Sequence, residues 1–413
     1  MKIQDVLQRD PATHPLINQG QARISDEREG NARLELRGEL STFVCEGQYA
    51  DGIVRIVRSF LDNHGRTSQK GAWVSGFYGS GKSHLLKMLC HLWQDTAFDD
   101  EATARSLIPS MPDDLRAVLR ELETAGKRAG GLLAAAGALP SGTTENVRLT
   151  ILSILLKATG LPELYPQARF CLWLHAQGWY DRVQQHLSAV GKDFRNELNN
   201  LYVSGPIARA IPECDPKFAA TEADARQSIK AQFPPQTTDI TTEAFLQIAK
   251  QALKRVGQNG RMPCCILILD EVQQYIGDSN IRATLVTEVA EAVSKQLDSH
   301  LIIVGAGQSA LTEVPLLHKL LDRFTIRVPL SDAEVETVNR RLMQCVTTGR
   351  RLHRVCGFCG LRSSLDRCAA GVVFVNYLGL IQACAGAFDF GEDGGALGFP
   401  DVAFGGEIAL GEV

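Results

Sequence analysis

The sequence predicts an α/β fold built on a five-stranded parallel sheet, and three observations predict it. A glycine-rich loop, Gly76-Phe77-Tyr78-Gly79-Ser80-Gly81-Lys82-Ser83, stands between the short apolar run Ala72-Trp73-Val74 and a segment with helical periodicity. A continuous apolar run, Cys264-Cys265-Ile266-Leu267-Ile268-Leu269, ends in the acids Asp270 and Glu271. A further run, Leu301-Ile302-Ile303-Val304-Gly305-Ala306-Gly307, follows a helical stretch and ends at Gln308. Strands that are apolar throughout and separated by helices suit a parallel sheet covered on both faces.

Size and composition bound the answer. With 413 residues and 45% hydrophobic content the chain can bury a large core, and its length implies two or three domains. A net charge of -4 and a pI near 6.2 argue against a surface built mainly for nucleic acid, while leaving room for a local basic patch. The start, Met1-Lys2-Ile3-Gln4-Asp5, lacks the basic and apolar regions of a secretory signal, so the expected location is cytoplasmic. The 11 cysteines, an odd number lying mostly in apolar runs, read as small buried hydrophobes kept reduced.

In chain order, residues 1–40 are polar with weak periodicity and read as an N-terminal arm. Residues 43–61 predict a helix, with Tyr49, Ile53, Ile56, Val57 and Phe60 at helical spacing. Gln48 and Tyr49 are candidate nucleotide-base contacts, set against a plain core or surface role. The strand at 72–74 then runs into the glycine-rich loop. Glycines at its first, fourth and sixth positions let successive N–H groups point inward at phosphates. Lys82 is placed to reach the β- and γ-phosphates and Ser83 to hold Mg²⁺, with a helix N-terminus facing the same charge. The expected nucleotide-binding set is Gly76, Gly79, Ser80, Gly81, Lys82, Ser83 and His84, and Leu85, Leu86, Met88, Leu89, Leu92 and Trp93 continue the helix.

Residues 130–139, small and apolar, predict the second strand. Pro140 and the polar run after it break the chain, with Thr144 as N-cap of a helix over 145–158. The 180 residues between Ser83 and Cys264 exceed what a minimal nucleotide-binding core needs, so a helical insertion is expected at about 160–260. Its stronger helices are 170–175, 183–190, 194–202 and 245–256, and it carries no catalytic signature.

The acid pair supplies the second half of the chemistry. At the end of a central strand it faces the ligand crevice, where Asp270 holds Mg²⁺, directly or through water, and Glu271 orients and partly deprotonates the attacking water. The competing reading is a strand that stops at a charged surface, ordinary in isolation and minor beside the loop. After a helix over 281–297, Gln308 is the candidate sensor of the γ-phosphate, against a polar turn residue. Ahead of a fifth strand in Phe324-Thr325-Ile326-Arg327-Val328-Pro329-Leu330, Arg323 is the candidate arginine finger for a neighbouring subunit, against a surface pair with Asp322. Arg327, inside the strand, is the weaker finger.

Loop after the first strand, acids after the third, polar sensor after the fourth and arginine before the fifth resemble the AAA+ ATPase core over roughly residues 40–340. That resemblance implies a sheet of order 5-1-4-3-2, ATP and Mg²⁺ as ligands, and a homo-oligomer whose sites span subunits. More narrowly, Gly47-Gln48-Tyr49-Ala50-Asp51-Gly52, the loop continued through His84-Leu85, Leu269-Asp270-Glu271-Val272-Gln273-Gln274-Tyr275 and Gly305-Ala306-Gly307-Gln308 resemble the large P-loop protein of BREX bacteriophage-exclusion systems. This implies an ATP-dependent role in an antiphage complex, with other defence proteins as partners and DNA reached directly or through them. That family's protein is far longer, so the chain corresponds to its N-terminal ATPase portion.

Ser331-Asp332-Ala333-Glu334-Val335-Glu336 begins a helix suited to that family's small lid domain, which then stays incomplete. Residues 345–413 hold 13 of the 37 glycines and five of the 11 cysteines and contain no lysine, which reads as a shifted frame or truncated gene leaving a tail that need not fold. The expected organisation is therefore an arm (1–40), an ATPase core (41–343) and an irregular tail (344–413). Cys356-Gly357-Phe358-Cys359 has zinc-type spacing, with Cys345, His353 and Cys368 as further ligands, but lacks a second matching pair. The apolar run 371–388 is interrupted by Asn376 and Gln382, and no membrane span is expected.

The expected function is an ATP-hydrolysing oligomeric motor or switch of an antiphage complex in shortened form. The alternative is a nucleotide-dependent scaffold that binds ATP and partners without productive hydrolysis. A phosphotransferase is disfavoured, because the acid pair suits water activation.

Overall fold

Five strands form one sheet: β1 (Gly71–Ser75), β2 (Leu132–Ala138), β3 (Cys264–Asp270), β4 (Leu301–Gly307) and β5 (Phe324–Pro329). The computed structural model describes residues 31–331 except 141–145, 237 and 313, all within the unit Pro15–Gln344. The strands lie in the order β2-β3-β4-β1-β5 and every pairing is parallel. From the β5 edge this reads 5-1-4-3-2. Burial explains who is central: β1, β3 and β4 are buried at every position, whereas β5 alternates buried and exposed, as an edge strand must.

Ahead of β1 lie α1 (Asn31–Thr42) and α2 (Gly47–Asn63). Between β1 and β2 come α3 (Lys82–Gln94), α4 (Ala104–Leu107) and α5 (Asp113–Arg128). The connection from β2 to β3 carries α6 (Val147–Ala158), α7 (Tyr165–Gln177), α8 (Tyr180–Ala189), α9 (Phe194–Asn199), α10 (Gly205–Cys214), α11 (Glu222–Gln232) and α12 (Thr242–Val256). Between β3 and β4 lie α13 (Val272–Ile276) and α14 (Asn280–Gln296).

Because successive strand side chains point to opposite faces, each strand feeds two cores. Cys264, Ile266 and Ile268 of β3 join Ile53, Phe60, Leu89, Trp93 and Leu119 from α2, α3 and α5. Cys265, Leu267 and Leu269 join Leu152, Leu155, Ala249 and Val289 from α6, α12 and α14. Helices thus cover both faces, which is what an all-parallel sheet requires.

Helices α7 to α11 extend the second core around an aromatic knot. Trp173 lies 4.9 Å from Phe218 and 5.0 Å from Trp179, and Phe170 lies 5.5 Å from Phe233, measured between ring centroids. Local chemistry sets the breaks: Gly178, at φ 71°, ends α7, and the side chains of Asp193, Ser204 and Thr221 cap α9, α10 and α11. Two helices here, α10 and α11, were not legible in the sequence, since each buries only a short stripe, such as Ala225 and Ile229 in α11.

The structure departs from expectation near the N-terminus. Residues 31–42, assigned mostly to a polar arm, form α1, and Leu36 and Leu40 are buried in the core. Glu39 is buried too, because Lys87 of α3 meets it at 2.6 Å with both side chains about 6% exposed. A charge that reads as solvent-facing is here half of an internal pair. The expected helix over 43–61 begins later, at Gly47, because Glu46 is extended.

The described cysteines are free, and five of these six are buried. Burial pushes the Cys45, Cys171 and Cys264 thiols up to about 12, so they behave as inert core residues. Among the described residues no helix is long and apolar enough to cross a membrane. Thr144, residues 332–336 of the expected lid helix, the Cys356–Cys359 spacing, the 371–388 run and the tail as a whole lie outside the described residues.

Candidate functional site

All five strands run the same way, so their C-terminal ends share one edge of the sheet. Ser75 is level with Gly307 on one side and with Pro329 on the other, and Ala138 is level with Asp270. The glycine-rich loop, the acid pair and Gln308 therefore emerge together, although more than 200 residues of sequence separate the loop from Gln308.

The loop depends on glycine at Gly79, whose φ is 86°, and at two sterically tight points. Gly81 has φ 80°, and a Cβ there would lie 2.4 Å from the Tyr49 hydroxyl. At Gly76 a Cβ would meet Ser80 Oγ at 2.5 Å and the Leu330 carbonyl at 3.0 Å. Tyr49, buried in α2, donates its hydroxyl to the Ser80 carbonyl at 2.8 Å and so clamps the loop from behind. This assigns Tyr49 a structural role rather than a base contact. Gln48 is likewise engaged: its Nε2 donates to Ser331 Oγ (3.0 Å) and its Oε1 accepts from the Ser331 N–H (2.9 Å).

Helix α3 starts at Lys82 with no side-chain cap on its first amides, so the positive end of its dipole is open toward the loop. The Lys82 ammonium folds over the same loop, donating to the carbonyls of Gly76 (2.7 Å) and Phe77 (2.8 Å). Burial draws it below the ordinary lysine range, and Asp270 pulls in the opposite direction. Ser80 is fully buried and its Oγ has no hydrogen-bond partner.

Ser83 and Asp270 meet directly. The Ser83 hydroxyl donates to Asp270 Oδ2 at 2.6 Å, while Asp270 Oδ1 accepts the Glu271 N–H at 2.8 Å. Glu271 itself has φ 58° and ψ 25°, a left-handed conformation costing a non-glycine residue about 1 kcal/mol. Its side chain is exposed at the strand tip. An alcohol and a carboxylate within hydrogen-bond distance form an all-oxygen donor set that fits a hard cation such as Mg²⁺, which completes its shell with water and phosphate oxygens. Among the described residues no group of three or more His, Cys, Asp or Glu side chains converges as a dedicated protein cage would.

The other expected residues fall as follows. The His84 imidazole is turned onto the Phe43 ring, 5.5 Å between centroids in an edge contact. Burial first, and the Lys87 charge second, bring it down to about 4, so it is neutral at pH 7. Its side chain thus offers no positive charge to phosphate, and only its backbone N–H remains for that role. Gln308 is exposed just past β4. Its neighbour Ser309 is pinned from two sides: its N–H donates to Gln273 Oε1 (2.9 Å), and its carbonyl accepts from Trp73 Nε1 (3.1 Å). The sequence reading quoted Gln273 in a motif but gave it no role; it joins the helix after the acids to the turn after β4, and its place three residues beyond Asp270 was the available signal.

Arg323 lies at the opposite, N-terminal edge, just before β5, about 17 Å along the strand from the loop's level. Its partner is Glu291 of α14, at 2.8 Å, not the adjacent Asp322. Arg327 is an exposed position of β5 level with Trp73. Among the described residues neither arginine side chain makes a hydrogen bond or ion pair with the loop of its own chain. No family model matches the chain, and no solved structure matches it.

Proposed function

We propose that the chain binds ATP in the loop of residues 76–83 and hydrolyses it, acting as an AAA+-type oligomeric motor or switch. The contact between Ser83 Oγ and Asp270 Oδ2, with the Lys82 ammonium beside it, carries this reading. The strand order and the loop's glycine requirements support it.

In this reading the loop amides and Lys82 bind the triphosphate and hold the γ-phosphate at the sheet edge. Ser83 and Asp270 would hold Mg²⁺, which supplies charge neutralisation on the β- and γ-oxygens. Glu271, exposed at the tip of β3, accepts a proton from the attacking water. Gln308 senses the γ-phosphate from the neighbouring strand. Arg323 acts on the site of an adjacent subunit, which makes turnover depend on assembly.

The motif set at 47–52, 76–85, 269–275 and 305–308 supports the narrower reading that this motor belongs to a BREX-like antiphage complex, working in the cytoplasm with other defence proteins and with DNA directly or through them. The Arg323–Glu291 ion pair favours one second reading, a scaffold that binds ATP without productive turnover. Phosphate release from dilute and from concentrated protein separates the two, since a motor gains turnover on assembly and a scaffold does not. For the motor, Lys82→Ala weakens nucleotide binding by about 100-fold and Glu271→Gln leaves binding but stops phosphate release. Turnover surviving both substitutions defeats the assignment.

A further inference from the structure

At the edge of the sheet opposite the loop lies an open cleft of about 950 Å³. Its walls come from the ends of α2 and α5, from α12, and from the turns leading into β3 and β4. Arg120, Arg128, Lys254 and Arg261 line it, against the single carboxylate of Glu121. All four cations are exposed and, among the described residues, none is held by a carboxylate. Arg261 donates instead to the Arg128 carbonyl at 3.3 Å, which brings two of the guanidinium-bearing segments side by side. Asp298, the acid near His300, is engaged by Lys250 at 3.7 Å.

The floor is different in kind. His64 and His300 meet edge to face, 5.0 Å between centroids, beside Leu61 and Met262. Burial, then His64, lowers the affinity of His300 for a proton, so the floor offers a neutral ring and apolar surface rather than more charge.

Like charges gathered in one concave site repel one another, and low-dielectric walls focus their field. In a chain whose net charge is -4, such a patch is a local departure that a polyanion would relieve. A small single anion is held by donors converging on one point. Here the cations are exposed, drawn from two helices and a loop, and spread along an open groove with ring and aliphatic surface at its base. From this we infer that the cleft binds the phosphodiester backbone of a single nucleic-acid strand, with the floor receiving a base. The site is distinct from the proposed ATP site: β3 alone separates the two edges by about 20 Å.

The test is fluorescence anisotropy with a labelled twelve-nucleotide thymidine strand and the full chain, free of nucleotide. With four phosphate contacts, affinity falls about 50-fold between 50 and 200 mM salt. Arg120→Glu with Arg261→Glu lowers affinity more than about 10-fold and flattens the salt dependence, Lys254→Glu alone acts in the same direction, and melting temperatures stay near wild type because all three positions are exposed. Lys82→Ala, altered only at the far edge, binds the strand as wild type does. Absence of strand binding, binding untouched by the charge reversals, or binding of inorganic tripolyphosphate without the oligonucleotide each overturns the inference.

Discussion

Ser83 and Asp270 are 187 positions apart in the chain, yet the Ser83 hydroxyl donates to Asp270 Oδ2 at 2.6 Å. One residue lies in the first turn of α3 and the other closes β3, with β4 lying between β3 and β1. The loop after β1 must therefore reach across the top of β4 for the two to touch, and the glycine conformations of the loop let it do so. The relationship makes several outcomes specific.

Gly81→Ala places a Cβ against the Tyr49 hydroxyl and forces a left-handed alanine. Its expected cost is about 1–3 kcal/mol in urea denaturation. Tyr49→Phe removes the clash but also the bond to the Ser80 carbonyl, itself worth about 1 kcal/mol. The double variant should therefore remain less stable than wild type. Full recovery in the double variant would show that the loop's backbone does not need glycine.

The internal Glu39–Lys87 pair tests whether α1 is part of the core. Breaking it on one side, with Glu39→Gln or Lys87→Met, leaves a buried charge and is expected to destabilise by about 3 kcal/mol. Replacing both by apolar residues of similar volume should recover most of that loss. Single variants within about 0.5 kcal/mol of wild type would mean that α1 is loosely attached.

His84 contributes a pH dependence with a defined sign. Its proton affinity is lower folded, at about 4, than unfolded, at 6.5, so the unfolded chain binds more protons between those values. The stability it contributes is complete above pH 6.5 and is lost as the pH falls toward 4. The expected size is about 2 kcal/mol, reduced for partial exposure. His84→Gln should show a smaller loss of stability between pH 7.5 and pH 5 than wild type; equal losses would place the titration elsewhere.

How much of this was legible in the sequence depended on how local the signal was. The loop, the acid pair and the apolar strands announce themselves because each motif is contiguous, and the structure gathers Lys82, Ser83 and Asp270 at one sheet edge. The clamp from Tyr49 and the bridge from Gln273 to Ser309 were not legible, because a hydrogen bond between distant segments leaves no periodic trace. The Glu39–Lys87 pair was not legible for a related reason: binary patterning assigns charges to solvent, and only the packing of α1 against α3 reverses that. Arg323 was identified as a charged position before β5, but its partner, Glu291, lies 32 residues away and could not be chosen over the adjacent Asp322.

Arg323→Ala separates a trans-acting arginine from a structural one. A finger role predicts unchanged nucleotide affinity and a fall of about 10³ in turnover by assembled protein. Glu291→Ala frees the guanidinium and should leave turnover intact or raised. Equal loss of stability in both variants with unchanged turnover would reduce Arg323 to a surface ion pair.

The central claim is that a cation-holding acid and a phosphate-holding loop share one ligand. Its most direct test is an equilibrium titration of the full chain with a fluorescent ATP analogue, run with Mg²⁺ and with EDTA. The account predicts that Mg²⁺ tightens binding by about 10-fold or more in wild type, that Asp270→Asn removes this gain, and that Lys82→Ala weakens binding by about 100-fold with or without the metal. Equal binding by wild type and Lys82→Ala, or a Mg²⁺ effect that persists in Asp270→Asn, would contradict it.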